Sequence, residues 1–412
     1  MVTVIRFPAS RKTFKRIGNV AAHPQFRHVR HPPVGYRILT NDRPAGVTLR
    51  DLLRIGIRLT DIVTHSAGKV SMWNVARFLL TRELLPFGAG EPIFVPSFPL
   101  VIGNEPWFIE IEDLTTLFFP FIHNGKTAAI DIRTHEVFPI VKRLLEHRSC
   151  LGILTHIYET KDGLDKLFAS EIISTKTRFI KVPYLPDDPE VVPPTPPKRQ
   201  SAEPLRLFFN NSWHQNPSNF YVRGGLYVLN ACERLFREGS PFHLTIRSTL
   251  PPKIIERYRS LLSSPAVTVA EGYLDWQSYS SLMSGCHVYL LPSARVHVYS
   301  LLEAMYHGLA VVTSDGWGIG NYVAHRVNGR MLPGLYGLVS WQSANGQLSE
   351  NYEPMSCDNH ELEDSLYVTL RELISYDDRR SQLATAGQTF VTRELSIERF
   401  NAEFGAFLGQ IL

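Results

Sequence analysis

The sequence has few of the features that mark secreted, membrane-spanning or metal-binding proteins. Its four cysteines, Cys150, Cys232, Cys286 and Cys357, stand far apart without metal-ligand spacing, which is typical of free thiols in a reducing compartment. No run of eighteen apolar residues occurs, and the first residues lack the apolar core of a secretory signal. An Asp-x-Asp pair and a His/Cys cluster are also absent, so we expect no metal site and no cofactor. These absences predict a cytoplasmic protein.

Acidic residues are missing from the N-terminal arm, residues 1–35, and the first acid in the chain is Asp42. The basic residues before it are Arg6, Arg11, Lys12, Lys15, Arg16, Arg27, Arg30 and Arg37, accompanied by His23, His28 and His31. Such an arm could attract the phosphates of an anionic membrane or of a lipid-linked acceptor. A plain solvated tail and a targeting peptide are the alternatives. Nucleic acid is not predicted, because no interleaved aromatic residues or reading motif accompany the charge.

What the chain does have is a repeating alternation of short apolar strands and helices. With 412 residues it can hold two domains, and the alternation predicts an α/β fold with parallel sheets. The predicted parts are an arm at 1–35, a first domain at 36–186, a Pro-rich linker at 187–204, a second domain at 205–394 and a last helix at 395–412. The polar segment Ser340 to His360 is interpreted as an insertion loop without an assigned function.

One stretch of the second domain predicts a phosphate site. A strand at His287–Leu291, a helix at Tyr299–His307 and a strand at Leu309–Thr313 lead into the glycine-rich loop Ser314–Gly320. Unpaired amides near Ser300, Leu301 and Leu302 at the start of the helix suit a phosphate, because the helix dipole favours negative charge there. Glu303 comes one turn into this helix, where its carboxylate could accept hydrogen bonds from two ribose hydroxyls. The alternative is that Glu303 merely caps a helix.

The same stretch resembles the donor-site signature of a known enzyme family. The residues that carry the resemblance are Pro292-Ser293, Leu301 to Met305, Gly308, Val311-Val312, Ser314-Asp315 and Asn328-Gly329. They look like retaining glycosyltransferases of the GT-B fold, family 4 type, and the resemblance covers the chain well from about Leu205 onward. It implies two Rossmann-like parallel-sheet domains facing a cleft, with the last helix crossing back to the first domain. It also implies transfer of a sugar from a nucleotide diphosphate sugar to a hydroxyl of a glycan or lipid-linked acceptor, with retention.

Further residues of the second domain take roles from this resemblance. Arg223-Gly224 stands where similar enzymes place a cation on the donor diphosphate, and a guanidinium can bind a diphosphate bidentately, although a surface arginine is the alternative. Tyr273-Leu274 falls in the segment whose backbone reads the nucleotide base. The family's earlier phosphate arginine is missing from the loop Asn210–Asn216, where His214 or Arg247 might substitute. Amides and Arg223 would then stand in for a divalent metal.

The main departure from the family is Arg295, which replaces the first of two glutamates that lie eight positions apart. A guanidinium only donates hydrogen bonds, so Arg295 suits a sugar that presents acceptors, above all the carboxylate of a uronic acid. The alternative, which we favour, is that the loop is re-routed and Arg295 points to solvent. His297 or a backbone group would then bind a neutral sugar.

In the first domain, Glu112 and Asp113 end the predicted strand from Trp107. Acids at the carboxyl end of a strand could orient an acceptor hydroxyl or accept its proton, although Asp113 could instead cap a helix. His65 and His156 end two other strands, and a structural histidine is the better interpretation for each.

Together these observations predict a glycosyltransferase. Two alternatives stay open at this point. One is a GT-B-like subunit that has lost catalysis and serves in binding or assembly, which Arg295 and the missing phosphate arginine would explain. The other is a nucleotide-sugar epimerase or phosphorylase of the same fold.

Overall fold

The structure is a computed structural model, and the residues that it describes fall into several stretches. They are 2–7, 24–40, 53, 56–57, 60, 71, 73–74, 78, 91–96, 106–119, 121–122, 125–186, 192–200, 203–211, 217–272, 274–336, 342–343 and 345–412. Several predictions lie outside these residues: His65, residues 8–23 of the basic arm, His214 and Tyr273.

The labelled elements run in chain order. The strands are β1 (Thr3–Arg6), β2 (Tyr36–Leu39), β3 (Ile93–Pro96), β4 (Trp107–Glu110), β5 (Lys126–Ile130), β6 (Cys150–Thr155), β7 (Thr177–Phe179), β8 (Leu205–Asn210), β9 (Phe242–Arg247), β10 (Val267–Ala270), β11 (Val288–Leu291), β12 (Ala310–Ser314), β13 (Arg330–Leu332) and β14 (Leu348–Asn351). The helices are α1 (Val137–Glu146), α2 (Tyr158–Phe168), α3 (Glu171–Lys176), α4 (Pro217–Val222), α5 (Gly225–Arg237), α6 (Pro252–Arg257), α7 (Arg259–Leu262), α8 (Trp276–Ser284), α9 (Val298–Tyr306), α10 (His360–Ser375), α11 (Asp377–Thr389) and α12 (Ile397–Ile411).

The chain divides into two compact units that are not continuous in sequence. Unit 1 comprises the residues up to Leu185, the segment 341–351 and the last helix from Ile397, and unit 2 comprises the remainder. The predicted linker is not a free connection: its residues 192–200 belong to unit 2, where Arg199 donates to the carbonyl of Ile374 at 2.6 Å.

Each unit is built on a six-stranded sheet whose strands all pair in parallel. The strand order is β2-β1-β3-β4-β6-β7 in unit 1 and β10-β9-β8-β11-β12-β13 in unit 2. Strands β4, β11 and β12 are buried along their whole length, as expected when helices cover both faces of a parallel sheet. The carboxyl ends of parallel strands lie at one edge, which is where ligands bind in such sheets.

The last helix, α12, completes the core of unit 1. Its residues Phe400, Phe404, Phe407 and Leu408 are buried against Ile5, Phe7, Phe94, Phe108 and Leu154 of the sheet. The packing leaves no space at Gly152, where a Cβ atom would lie 2.4 Å from the ring of Phe407. One face of the N-terminal sheet is thus covered by the most C-terminal part of the chain.

The segment predicted as a structureless insertion contains a strand. β14 pairs antiparallel with β5 of unit 1, with Leu348 opposite Ile130 and Asn351 opposite Lys126. The loop prediction was therefore wrong for residues 348–351. Among the described residues, no helix combines the length and apolar character needed to span a bilayer.

Candidate active site

The polar side chains at the carboxyl edge of the unit 2 sheet converge on Asn210, the last residue of β8. Asn210 is opposite Arg247, the last residue of β9, in the strand register. The Tyr289 hydroxyl donates to Asn210 Oδ1 at 2.5 Å, and Asn210 Nδ2 donates to the Tyr279 hydroxyl at 2.6 Å. Burial raises the pKa of both tyrosines, which therefore stay protonated. These hydrogen bonds make a fixed, uncharged platform.

Arg223 lies on this platform. Its guanidinium Nη1 is 3.2 Å from Asn210 Oδ1 and 3.3 Å from Ser300 Oγ, and the residue is only 6% exposed. Its Nε is buried and makes no hydrogen bond. Burial is the largest cause that lowers the pKa of Arg223 below its usual value, and the charges of Arg247 and Arg295 add to it. A buried guanidinium with an unused donor is prepared for an anion.

Gly224 lets the turn that carries Arg223 pack closely against the loop after β11. Its backbone has φ 81°, and a Cβ atom there would lie 2.0 Å from the carbonyl oxygen of Pro292. Only glycine accommodates both the left-handed conformation and this contact. The Arg-Gly pair therefore has a local structural reason: the glycine brings the turn against the loop after β11, and the arginine side chain reaches the strand ends.

The loop after β11 is held against the glycine-rich loop after β12. The amide of Val296 donates to the carbonyl of Trp317 at 2.7 Å, and the amide of Trp317 donates to the carbonyl of Ala294 at 3.0 Å. Gly316 has no room for a side chain, because its Cβ atom would lie 2.4 Å from the carbonyl oxygen of Ser293. Arg295 is only partly buried, yet its charge lowers the pKa of both Arg223 and His297. The positive charge of Arg295 therefore acts on Arg223 and His297.

Helix α9 begins earlier than the sequence suggested. It starts at Val298 with His297 as N-cap, and the amide of Leu301 already donates to the carbonyl of His297 at 3.1 Å. The amides that precede this first helical bond belong to Val298, Tyr299 and Ser300. Leu301 and Leu302, two of the predicted donor-binding residues, have fully buried side chains. The predicted group of amides is thus displaced toward the N-terminus.

His297 places an imidazole at this helix start. Its Nε2 is buried and has no hydrogen-bond partner. Burial, reinforced by Arg223 and Arg295, holds its pKa well below the usual value, so the ring is neutral. His297 therefore offers a neutral polar group beside the charged Arg223.

Glu303, one turn into α9, brings a carboxylate to the same group. It is partly buried, and its charge contributes to the raised pKa of Tyr279 and Tyr289. The Glu303 charge thus acts on the two tyrosines of the platform. Arg223 contacts Ser300 in the first turn of α9, and Glu303 lies one turn further along the same helix.

The base-reading segment is described only in part. Leu274 is partly buried, and Arg247 Nη2 lies 3.5 Å from the neighbouring Gly272 carbonyl oxygen. Arg247 itself is 4% exposed. This arginine, one of the two candidates for the missing phosphate cation, is therefore at the site edge.

The two predicted acids of unit 1 do not form a pair. Asp113 is 1% exposed and caps the 3-10 helix Leu114–Phe118: its Oδ1 accepts the amide of Thr116 at 3.1 Å and the hydroxyl of Thr115 at 2.5 Å. The prediction that Asp113 binds the acceptor is not supported by this geometry, because the carboxylate serves as a cap. Glu112 is partly buried, and its carbonyl accepts the Thr160 hydroxyl at 2.6 Å.

Sequence reasoning missed a different pair in unit 1. His156 Nδ1 lies 2.8 Å from Glu110 Oε1, and the two residues are 2% and 6% exposed. They come from the carboxyl ends of neighbouring strands, since Glu110 ends β4 and His156 follows β6. The available signal was that parallel strands bring their ends together, but it does not say which strands are neighbours.

Within the part of the chain that is described, no three His, Cys, Asp or Glu residues are grouped so that they could hold a metal ion.

Comparisons with known proteins agree with this description. Residues 217–336 match the model of a family described as glycosyl transferases group 1, and that range contains Arg223, Arg295, His297 and Glu303. Comparison with curated protein sequences gives no match.

Solved structures resemble the whole chain at low identity. Anabaena HepE in complex with UDP has a TM-score of 0.54 and 11% identity, over 99% of this chain and 100% of HepE. A glycosyltransferase from Rickettsia africae has a TM-score of 0.54 and 9% identity, over 99% and 98% of the two chains. The predicted fold class is therefore confirmed: the chain has the GT-B fold, with two Rossmann-like parallel-sheet units, and the match to the group 1 glycosyl transferase model falls in the second.

Proposed function

We propose that the protein transfers a sugar, with retention of anomeric configuration, from a nucleotide diphosphate sugar to a hydroxyl of a glycan or lipid-linked acceptor. This is the activity of retaining family 4 glycosyltransferases. The observation that carries the proposal is the buried, unused Nε of Arg223, whose guanidinium contacts Ser300 in the first turn of α9, the helix that also carries Glu303.

Each of these groups has a role in the proposed reaction. The guanidinium of Arg223 and the amides of Val298 to Ser300 bind the diphosphate, and the Glu303 carboxylate accepts hydrogen bonds from the ribose. As the bond between the anomeric carbon and the phosphate oxygen breaks, negative charge grows on that oxygen, and Arg223 stabilises it. The acceptor hydroxyl attacks the same face of the sugar, and its proton passes to the departing phosphate oxygen. We propose that these donors take the place of a divalent metal.

A ligand screen followed by product analysis tests the proposal. Because HepE crystallised with UDP, the thermal-shift panel begins with UDP-sugars and continues with GDP- and ADP-sugars, since a ligand of the native state raises its stability. NMR of the product then reports the anomeric configuration. An inverted product would exclude retention. Loss of activity in chelator, restored by magnesium or manganese, would exclude the metal-free mechanism.

The two alternative functions give different results in the same assay. Arg295 in place of the family glutamate favours a subunit that binds without catalysis, and such a protein would raise its melting temperature with donor but neither hydrolyse nor transfer it. An epimerase would convert the donor sugar in the absence of any acceptor.

The kind of acceptor is proposed from the basic and exposed apolar residues near the start of the chain. Leu53 and Ile57 each have helical backbone and are 62% and 71% exposed. Arg50, Arg54 and Arg58 alternate with them in the sequence, and the acid-free arm precedes them. We propose peripheral contact with an anionic membrane at its cytoplasmic face, which suits a lipid-linked acceptor.

The predicted arm is not a tail as a whole, because β1 pairs with β2 and β3, and Phe26 and Val29 lie in the core of unit 1. The test of its charge is therefore replacement of Arg11, Lys12, Lys15 and Arg16 by glutamine rather than deletion. Binding to vesicles with anionic lipid should fall and lose its salt dependence, while transfer to a soluble acceptor analogue continues. Equal vesicle binding by the variant and the wild type would overturn the membrane role of these residues.

A further inference from the structure

We propose that Arg247 is the second guanidinium of the donor diphosphate site, in the place of the phosphate arginine that the loop after β8 lacks. This inference rests on the proposed function, because it assigns a residue to the same donor.

Arg223 and Arg247 each lie next to one member of the hydrogen-bonded pair formed by Asn210 and Tyr279. Arg223 Nη1 donates to Asn210 Oδ1, whereas Asn210 Nδ2 donates to the Tyr279 hydroxyl. The guanidinium carbon of Arg247 lies 5.5 Å from the centre of the Tyr279 ring. Because Asn210 and Arg247 are register partners at the carboxyl ends of β8 and β9, both cations lie at the edge where parallel sheets bind ligands.

The two guanidiniums are both buried and act on each other. Arg223 is 6% exposed and Arg247 is 4% exposed, and a like charge nearby disfavours ionisation. Arg247 accordingly lowers the pKa of Arg223. Because arginine keeps its proton at neutral pH, an anionic ligand that met both guanidiniums would reduce this repulsion.

The charges of the described site residues indicate how much negative charge the ligand brings. Arg223, Arg247 and Arg295 are three guanidiniums, Glu303 is one carboxylate, and His297 is neutral. The two ionised phosphates of a diphosphate ester balance the two excess positive charges.

Arg247→Gln and Arg247→Lys test the assignment. UDP affinity is measured by calorimetry and uridine affinity by NMR titration, because the ratio between them isolates the contribution of the phosphates. If the thermal-shift panel selects another base, GDP with guanosine or ADP with adenosine replaces this pair. For Arg247→Gln the ratio should fall by about 10–100-fold while nucleoside affinity is retained. For Arg247→Lys, which keeps the charge but cannot bind bidentately, the fall should be smaller.

The control is Arg257→Gln, a surface arginine of the same unit whose side chain is 48% exposed and pairs with Asp358. It should leave both affinities unchanged. Equal weakening of nucleoside and diphosphate by Arg247→Gln would overturn the assignment in favour of a base-binding or structural role, and an unchanged ratio in both variants would overturn it outright. Wild-type protein that binds no diphosphate of the panel would instead contradict the proposed function.

Discussion

The carboxyl edges of the two sheets differ in how their buried polar atoms are used. In unit 2, Arg223 Nε and His297 Nε2 are buried and have no hydrogen-bond partner. In unit 1, Glu110 and His156 bond each other, and Asp113 caps a helix. A buried donor or acceptor without a hydrogen-bond partner destabilises the free protein by about 1–3 kcal/mol. Such a group is retained where a bound ligand satisfies it. This difference motivates the proposal that the carboxyl edge of the unit 2 sheet binds a ligand, whereas Glu110, His156 and Asp113 have partners within unit 1.

The largest effect is expected from breaking the buried pair of unit 1. His156→Ala removes the donor from a buried carboxylate and should destabilise the protein by about 3–5 kcal/mol, measured by denaturant unfolding. His156→Asn, which keeps an N–H near the position of Nδ1, should recover part of this. Donor-nucleotide affinity should stay unchanged in both, and a selective loss of affinity would contradict the structural role.

Arg223→Ala tests the comparison in unit 2, by removing the guanidinium whose Nε has no hydrogen-bond partner. Because charge on the diphosphate grows toward the transition state, kcat should fall about 10²–10³-fold, more than donor affinity falls. Steady-state kinetics with calorimetry separates the two. A proportionate loss of affinity with unchanged kcat would mean that Arg223 binds the ground state only.

Glu303→Gln tests whether the carboxylate serves the ribose. Loss of charge-assisted hydrogen bonds should cost about 1.5–3 kcal/mol of donor affinity, while the melting temperature stays close to wild type. The matched ligand is the 2′-deoxynucleotide, whose affinity should change less. If both ligands weaken equally, Glu303 acts on something other than the ribose hydroxyls.

Asp113→Ala should have the smallest effect, a destabilisation of about 0.5–2 kcal/mol from loss of a helix cap. Asp113→Asn retains a cap oxygen and should be nearer to wild type. The KM for acceptor should not change in either variant; an increase in both at unchanged stability would restore the acceptor-binding role that the sequence suggested.

The sequence predicted the features that depend on local pattern. Alternating strands and helices predicted the parallel sheets. The Arg223-Gly224 pair was predicted from its resemblance to a family motif, and the structure adds a local reason for its glycine, a backbone conformation that few residues adopt. Glu303 was predicted from its place near the start of a helix and from the same resemblance, and the structure places it in α9.

What the sequence did not predict depends on contacts between distant residues. Tyr289 stands inside an apolar strand and was indistinguishable from core until its hydroxyl met Asn210. Glu110 and His156 are 46 residues apart, and β5 and β14 are farther apart still. Such pairings arise from tertiary packing, which no local pattern encodes.

The position of α12 has a consequence for biosynthesis. Residues 2–185 leave the ribosome long before Phe400, Phe404 and Phe407, so Phe94 and Phe108 of the nascent unit 1 lack the contribution of α12 to that face of the sheet until translation nears the last helix. A ribosome stalled before Ile397 would therefore hold an apolar sheet face for chaperones to bind, and supplying α12 in trans as a peptide should release it.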